Sequence, residues 1–192
     1  MPFGTIAATG WASGLNVYGT ALLLGLAGRL GWAETPEQLQ RPWVLAVLTV
    51  LYLLEFVVDK IPWADSAWDA VHTVVRPVGG ALLGVGLAHT SGDTSPLLAG
   101  LVGGGFALTG HAAKASTRAA ANASPEPVSN IVLSFAEDGI VAAMVTLALA
   151  FPLLAGILAV VAAVASVAVA WALVRTVRRL RQAWRERRAA RT

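Results

Sequence analysis

Six apolar stretches, most of them close to the length that crosses a bilayer, constrain this chain more than any motif in it. They fall at 3–30, 43–60, 71–88, 96–113, 128–150 and 152–174. A hydrocarbon core of about 30 Å takes roughly 20 helical residues, and only helices or closed barrels satisfy every backbone polar group inside it. The short alternating segments of a barrel are absent. The pattern therefore predicts an all-α integral membrane protein, a bundle of about six transmembrane helices. Pro36, Pro42, Pro62, Pro96, Pro125, Pro127 and Pro152 punctuate the helix ends, as residues that cannot continue a hydrogen-bonded helix should. The third and fourth stretches are short and rich in glycine, which predicts tilted, broken, re-entrant or interfacial segments there.

The chain is 13% charged, against roughly 25% in a soluble domain. One membrane domain, residues 1–174, is expected, followed by a basic tail, 175–192. With no cysteine, disulfides, thiolate metal sites and cysteine nucleophiles are excluded. The N-terminus lacks the basic region of a signal peptide and its apolar stretch is too long for a cleaved one. The first stretch is thus read as a retained helix.

The net charge of +3 conceals a polarity. Eight of the 14 basic residues lie between Arg175 and Arg191, whereas ten of the 11 acids precede them. Lysine and arginine in short loops favour the cytoplasm. Six spans with the tail inside place Lys60, Arg76, Lys114 and Arg118 on the cytoplasmic side, leaving Arg29 and Arg41 outside. Five spans would scatter them. Both termini are therefore expected in the cytoplasm. In the tail, Val177, Leu180 and Trp184 share a helical stripe with arginines around it. This suits a helix lying on the membrane among anionic lipid headgroups, although a plain topology signal explains the arginines as well. No base-reading module accompanies the charge, so nucleic acid is not an expected partner.

Residues three and four apart share a helix face. Thr9, Ser13, Asn16 and Thr20 then line one face of the first span, with Asn16 about 20 Å along it. Glu55 and Asp59 share a face at the end of the second. Beyond Pro62, Asp65, Asp69, His72 and Arg76 form another stripe. His111, Lys114, Arg118 and Asn122 form a third, and Asn130, Ser134 and Glu137 or Asp138 a fourth. Glu137 and Asp138 lie roughly 13–15 Å into the fifth span. A single charge at a helix centre costs about 2.5–3.5 kcal/mol even on insertion-based scales. These acids should therefore face the bundle interior, a counter-charge or water. The plainer reading of every stripe is a structural helix contact or a buried ion-pair network.

Catalytic patterns are weak. His72, His89 and His111 lack metal-ligand spacing, with His89 read as an outer-loop residue. Asp65 and Asp69 have the spacing of half a magnesium–phosphate site without its glycine–arginine frame. "GGALLG" and "GLVGGG" suit close helix packing. An inverted repeat is only faintly echoed, in "EFVVD" and "SFAED".

The blocks "SGLNVY" (13–18), "EFVVDKIPWADSAWDAVHTVVRPVGGALL" (55–83), "GHAAKASTRAAANASPEPVSN" (110–130) and "SFAEDG" (134–139) resemble the bacterial membrane family known as domain of unknown function 4126. The likeness covers most of the chain except the basic tail. It implies a small multi-spanning protein of the bacterial cytoplasmic (inner) membrane and implies no activity.

The polar stripes point to a small transporter or channel, cation- or proton-coupled, with a polar cavity opening to the cytoplasm. Its expected site comprises Ser13, Asn16, Glu55, Asp59, Lys60, Asp65, Asp69, Arg76, Lys114, Arg118, Asn122, Asn130, Glu137 and Asp138. The four deep acids would bind a cation or relay protons, and Ser13 and Asn16 would add neutral ligands from a weakened first helix. No catalytic residue or organic cofactor is expected, though the acids could hold a cation. A homo-oligomer is expected because six short helices make a thin bundle. One rival reading has Arg76, Lys114 and Arg118 hold a lipid phosphate while Asp65 and Asp69 hold a divalent ion. Another is a scaffold whose polar core only specifies packing.

Overall fold

A computed structural model of the chain describes residues 3–61, 64–92, 94–122 and 127–189, with backbone alone at 127, 180, 181 and 183–189. Pro62, Pro125 and the side chains of Pro127, Leu180 and Trp184, all given roles above, lie outside the described residues. Among the described residues the fold is all-α. Its helices are α1 (Phe3–Leu15), α2 (Val17–Arg29), α3 (Pro42–Val58), α4 (Ala64–Ser91), α5 (Pro96–Ala121), α6 (Pro127–Ala150) and α7 (Pro152–Ala189), with a 3-10 turn at Glu37–Gln40. Four helices are long and apolar enough to cross a membrane: Ala64–Ser91, Pro96–Ala121, Val128–Ala150 and Pro152–Arg179; α3 is a shorter apolar helix. Large apolar side chains such as Val50, Leu82, Leu101 and Val161 point outward, as a lipid-facing surface requires.

The first apolar stretch is not one helix. It breaks at Asn16, whose backbone is extended (φ −148°, ψ 100°) and whose side chain caps α2. Each half has 13 residues and rises only about 20 Å, too little to cross alone. Nor do the halves run on in line. Along α4, Ile6 lies at Gly84, Ser13 at Gly80 and Val17 at Gly79, and then Pro36, after α2, lies at Gly86. The chain thus enters on α1, turns at Asn16 and returns on α2 to the end where it began. The expected single face of Thr9, Ser13, Asn16 and Thr20 is broken at this turn.

The interruption therefore falls in the first stretch, not in the third and fourth. Those form α4 and α5, of 28 and 26 residues, and their glycines serve contact rather than interruption. A Cβ on Gly10 would lie 2.6 Å from the Gly103 carbonyl oxygen, and one on Gly80 would lie 2.8 Å from it. Backbones can meet that closely only at the smallest residues. Every residue from Gly4 to Leu15 is buried, so α1 forms the axis of the molecule, wrapped by α4, α5, α6 and α7.

Gly4 packs on Pro152 and Gly156, at the first turn of α7, and Trp11 donates to Ser166 Oγ further along it (3.3 Å). The two helices run parallel. The N-terminal end of α1 and the C-terminal end of α7 thus lie at opposite ends of the bundle. Six successive crossings with both termini on one side do not fit this geometry, because the first apolar stretch leaves where it entered. Nor does a helix boundary fall at residue 174. Helix α7 continues unbroken for 38 residues, roughly 57 Å, so the tail starts as an extension of the last apolar helix. His89, expected in a loop, lies in the last turn of α4.

Candidate functional site

Three bases project from the interior faces of α4 and α5 into a cluster of carboxylates at the end of the bundle where α3 ends. Their spacing explains how they get there. Asp69 and Arg76 on α4, and His111, Lys114 and Arg118 on α5, recur at intervals of three, four or seven and so stay on the buried stripe. Arg76 is fully buried and pairs with Glu55 Oε1 at 2.7 Å and Asp69 Oδ1 at 2.9 Å. Its second contact group donates to His111 Nδ1 at 2.8 Å. That fixes the His111 tautomer, because Nδ1 must accept and the proton sits on Nε2, 3.0 Å from Thr73 Oγ1.

Lys114 is 1% exposed. Its Nζ lies 2.6 Å from Asp59 Oδ2, 3.3 Å from Glu55 Oε1 and 3.6 Å from Glu137 Oε2, and donates to the Leu15 carbonyl at 3.2 Å. Arg118 grips Glu137 with two bonds, Nε to Oε1 at 3.2 Å and an outer nitrogen to Oε2 at 2.7 Å. Its other arm donates to the Asp59 carbonyl at 2.6 Å. Fork-on-fork pairing of this kind makes the strongest protein ion pairs.

The remaining expected residues frame the cluster. Asn130 donates to Asn122 Oδ1 at 2.8 Å, and Asn122 to Asp65 Oδ2 at 3.1 Å. Lys60 sits over the Phe56 and Phe135 rings, with Nζ bonded to the Phe56 carbonyl and to Ser134 Oγ. Burial pushes its ammonium below the ordinary lysine range, against the upward pull of Asp138 and Asp59. Asp65 and Asp69 face different partners, Asn122 with Arg118 and Arg76 respectively, so they do not converge as a pair. Among the described residues no group of three histidines or acids is placed to hold a metal ion. Ser13 stands apart as well: its hydroxyl donates to the Gly10 carbonyl at 2.7 Å and it packs at Gly80, away from the ion pairs.

The break at Asn16 meets this cluster directly. The carbonyl end of α1 faces Lys114 through Leu15. At the amide end of α2, Asn16 Oδ1 accepts from the Gly19 N–H at 2.8 Å while Nδ2 donates to Asp138 Oδ1 at 3.2 Å. Helix ends carry about half a charge, negative at the carbonyl end and positive at the amide end; here the carbonyl end of α1 meets Lys114 directly and the amide end of α2 meets Asp138 through the Asn16 side chain.

Six acids (Glu55, Asp59, Asp65, Asp69, Glu137 and Asp138) share this region with four bases (Lys60, Arg76, Lys114 and Arg118). Two negative charges are uncompensated. Glu55 Oε2, Asp59 Oδ1 and Asp138 Oδ2 are buried with no hydrogen-bond partner. A crevice of about 220 Å³ between α4 and α5 is lined by Asp69, Thr73, His111 and Arg118, at the flank of the cluster and not at these three acids. A larger one, about 600 Å³, opens at the opposite end between the 3-10 turn and α4, beside Pro36, Gly86 and His89.

Sequence reasoning omitted Tyr52, Tyr18 and the histidines from the site. Tyr52 stands beside Asp138 and Glu55, and the 52, 55, 59 spacing that puts it on the acidic stripe of α3 was readable. Tyr18 bonds His72 Nε2 at 3.1 Å across the hairpin turn, a contact that only the turn creates.

A family model described as "Domain of unknown function (DUF4126)" matches residues 4–173, ending just before the basic tail. Among curated proteins and among solved structures, none matches the chain.

Proposed function

The chain belongs to this family of unknown function, and from that premise we propose that it is a small bacterial inner-membrane transporter or channel that passes protons or a small cation through its polar core. The observation that carries the reading is the break at Asn16. A buried helix interrupted beside charged groups, its two half-helix ends aimed at a base and an acid, is the arrangement on which ion-coupled transporters build their sites. Five crossings and a re-entrant hairpin are the topology. Setting the ion cluster and tail in the cytoplasm keeps Arg29 and Arg41 outside, in accord with the charge rule. The hairpin keeps the basic residues together without a sixth crossing, and sends the N-terminus outside. Copies of this thin bundle associate in the membrane, and Arg175, Arg178 and Arg179, all exposed, meet anionic headgroups.

The lipid-phosphate reading draws less support, since Arg76, Lys114 and Arg118 are each occupied by carboxylates. Reconstitution in liposomes tests both. A proton or cation flux that Asp138→Asn abolishes in a folded variant upholds transport. Turnover or movement of a labelled lipid phosphate, lost in Arg118→Ala, replaces it. Neutralised variants that alter thermal stability alone leave a scaffold.

A further inference from the structure

The geometry assigns Asp138 as the site that holds an exchangeable proton in the resting protein, making the proton the ion of the proposed transport. This rests on the transport reading only for its consequence; the occupancy itself stands on contacts.

Each of the other five acids has a base within 4.0 Å. Glu55 has Arg76 and Lys114; Asp59 has Lys114 and Arg118; Asp65 has Arg118; Asp69 has Arg76; and Glu137 has Arg118 and Lys114. Among the described residues Asp138 has none. Its Oδ1 receives a neutral amide from Asn16, and its Oδ2 is buried without a partner. The groups that face it are Tyr52, a neutral hydroxyl that hydrogen-bonds it, Asp59 and Lys60 from α3 and the turn after it, and Lys114 from α5. Lys114 is saturated by oxygens, and Lys60 is turned to Phe56 and Ser134. Asp138 lies eleven residues past Pro127, roughly 16 Å along α6. A carboxylate at that depth without a counter-charge is the costly form, and a protonated one is not.

The step is a simple transfer. A hydronium gives its proton to Oδ2, an O–H bond forms, water is released and the side chain becomes neutral. The surplus negative charge of the cluster falls from two to one. Of the two ions that could neutralise the site, the proton is favoured, because no three acids converge at metal-ligand distances among the described residues.

Infrared difference spectroscopy on the full chain in liposomes reads this directly. A protonated-carboxyl C=O band is expected at pH 7; it shifts in D₂O, persists in sodium chloride and disappears in Asp138→Asn. If that variant does not fold, wild-type protein treated with a hydrophobic carbodiimide, which adds across a protonated carboxyl, should carry the adduct on the peptide containing Asp138. No band, a band that sodium abolishes, or an adduct only on other acids overturns the assignment. Flux without the band removes the proton site and leaves transport; the band without flux does the reverse.

Discussion

The two ends of the α1, α4 and α5 trio are built on opposite principles. Towards the N-terminal end of α1, backbones meet directly: Gly10 at Gly103 and Gly84 at Ala99. Beyond the last such contact, Gly14 at Gly110 and His111, α4 and α5 carry Arg76, Lys114 and Arg118 and are joined to their neighbours through carboxylates. Glycine contact gives close packing with no polar group to satisfy. A buried ion cluster costs desolvation that apolar residues of similar size would avoid. A chain that uses both in one helix trio has the cheaper device available. That contrast supports the proposal that the charged end does more than hold helices together, and it can be tested.

Removing one base should have the largest effect. Arg118→Met leaves Glu137 and the Asp59 carbonyl facing an apolar side chain, and a loss of about 3–5 kcal/mol is expected for an uncompensated buried charge. It would be read as a fall in melting temperature in detergent. The companion double variant Arg118→Met, Glu137→Met should recover most of that loss, because an apolar pair is a stable replacement. If the double variant also transports ions, the comparison breaks and the cluster is structural.

At the other end, Gly103→Leu should cost about 1–3 kcal/mol by overpacking, since its Cβ meets the Gly80 carbonyl. Ion flux by whatever protein folds should be unchanged in its pH dependence. A shift in that dependence would mean that the two ends are coupled. Asn16→Ala comes next. Loss of the cap on α2 should cost about 0.5–2 kcal/mol, measured by the same melting curve. Because Asn16 also binds Asp138, this variant should alter flux more than its stability loss explains.

The legibility of these features followed their physics. Apolar length is local, so α3 to α7 were visible in the sequence, and the stripe spacing correctly brought Glu55, Asp59, Arg76, Lys114, Arg118 and Glu137 together. The acid pair split as helix geometry demands, Glu137 inward to Arg118 and Asp138 to the rim against Asn16. The hairpin was not visible. Residues 3–30 are apolar enough to cross, and asparagine in a helix is an ordinary finding. What breaks the helix is tertiary: Leu15 O and the Asn16 amide are satisfied by Lys114 and Asp138, from distant parts of the chain. The glycines of α4 and α5 misled for the same reason. They signal either a break or a close approach, and only the partner helix decides.

The smallest expected effect concerns a region that belongs to neither end. From Trp171 to Arg179 almost every residue of α7 is exposed, and Arg175 lies over the Trp171 ring at 5.0 Å rather than against the bundle. Deleting residues 175–192 should therefore change stability in uncharged detergent by less than about 0.5 kcal/mol, as for a surface without buried partners. Anionic vesicles should separate the variants. Basic residues near a negative leaflet gain about 1 kcal/mol each, so the full chain should melt higher in anionic than in zwitterionic vesicles, and the truncated chain should not. Equal behaviour of the two chains would mean that the tail arginines are not at the headgroups, and the sidedness drawn from them would lose its support.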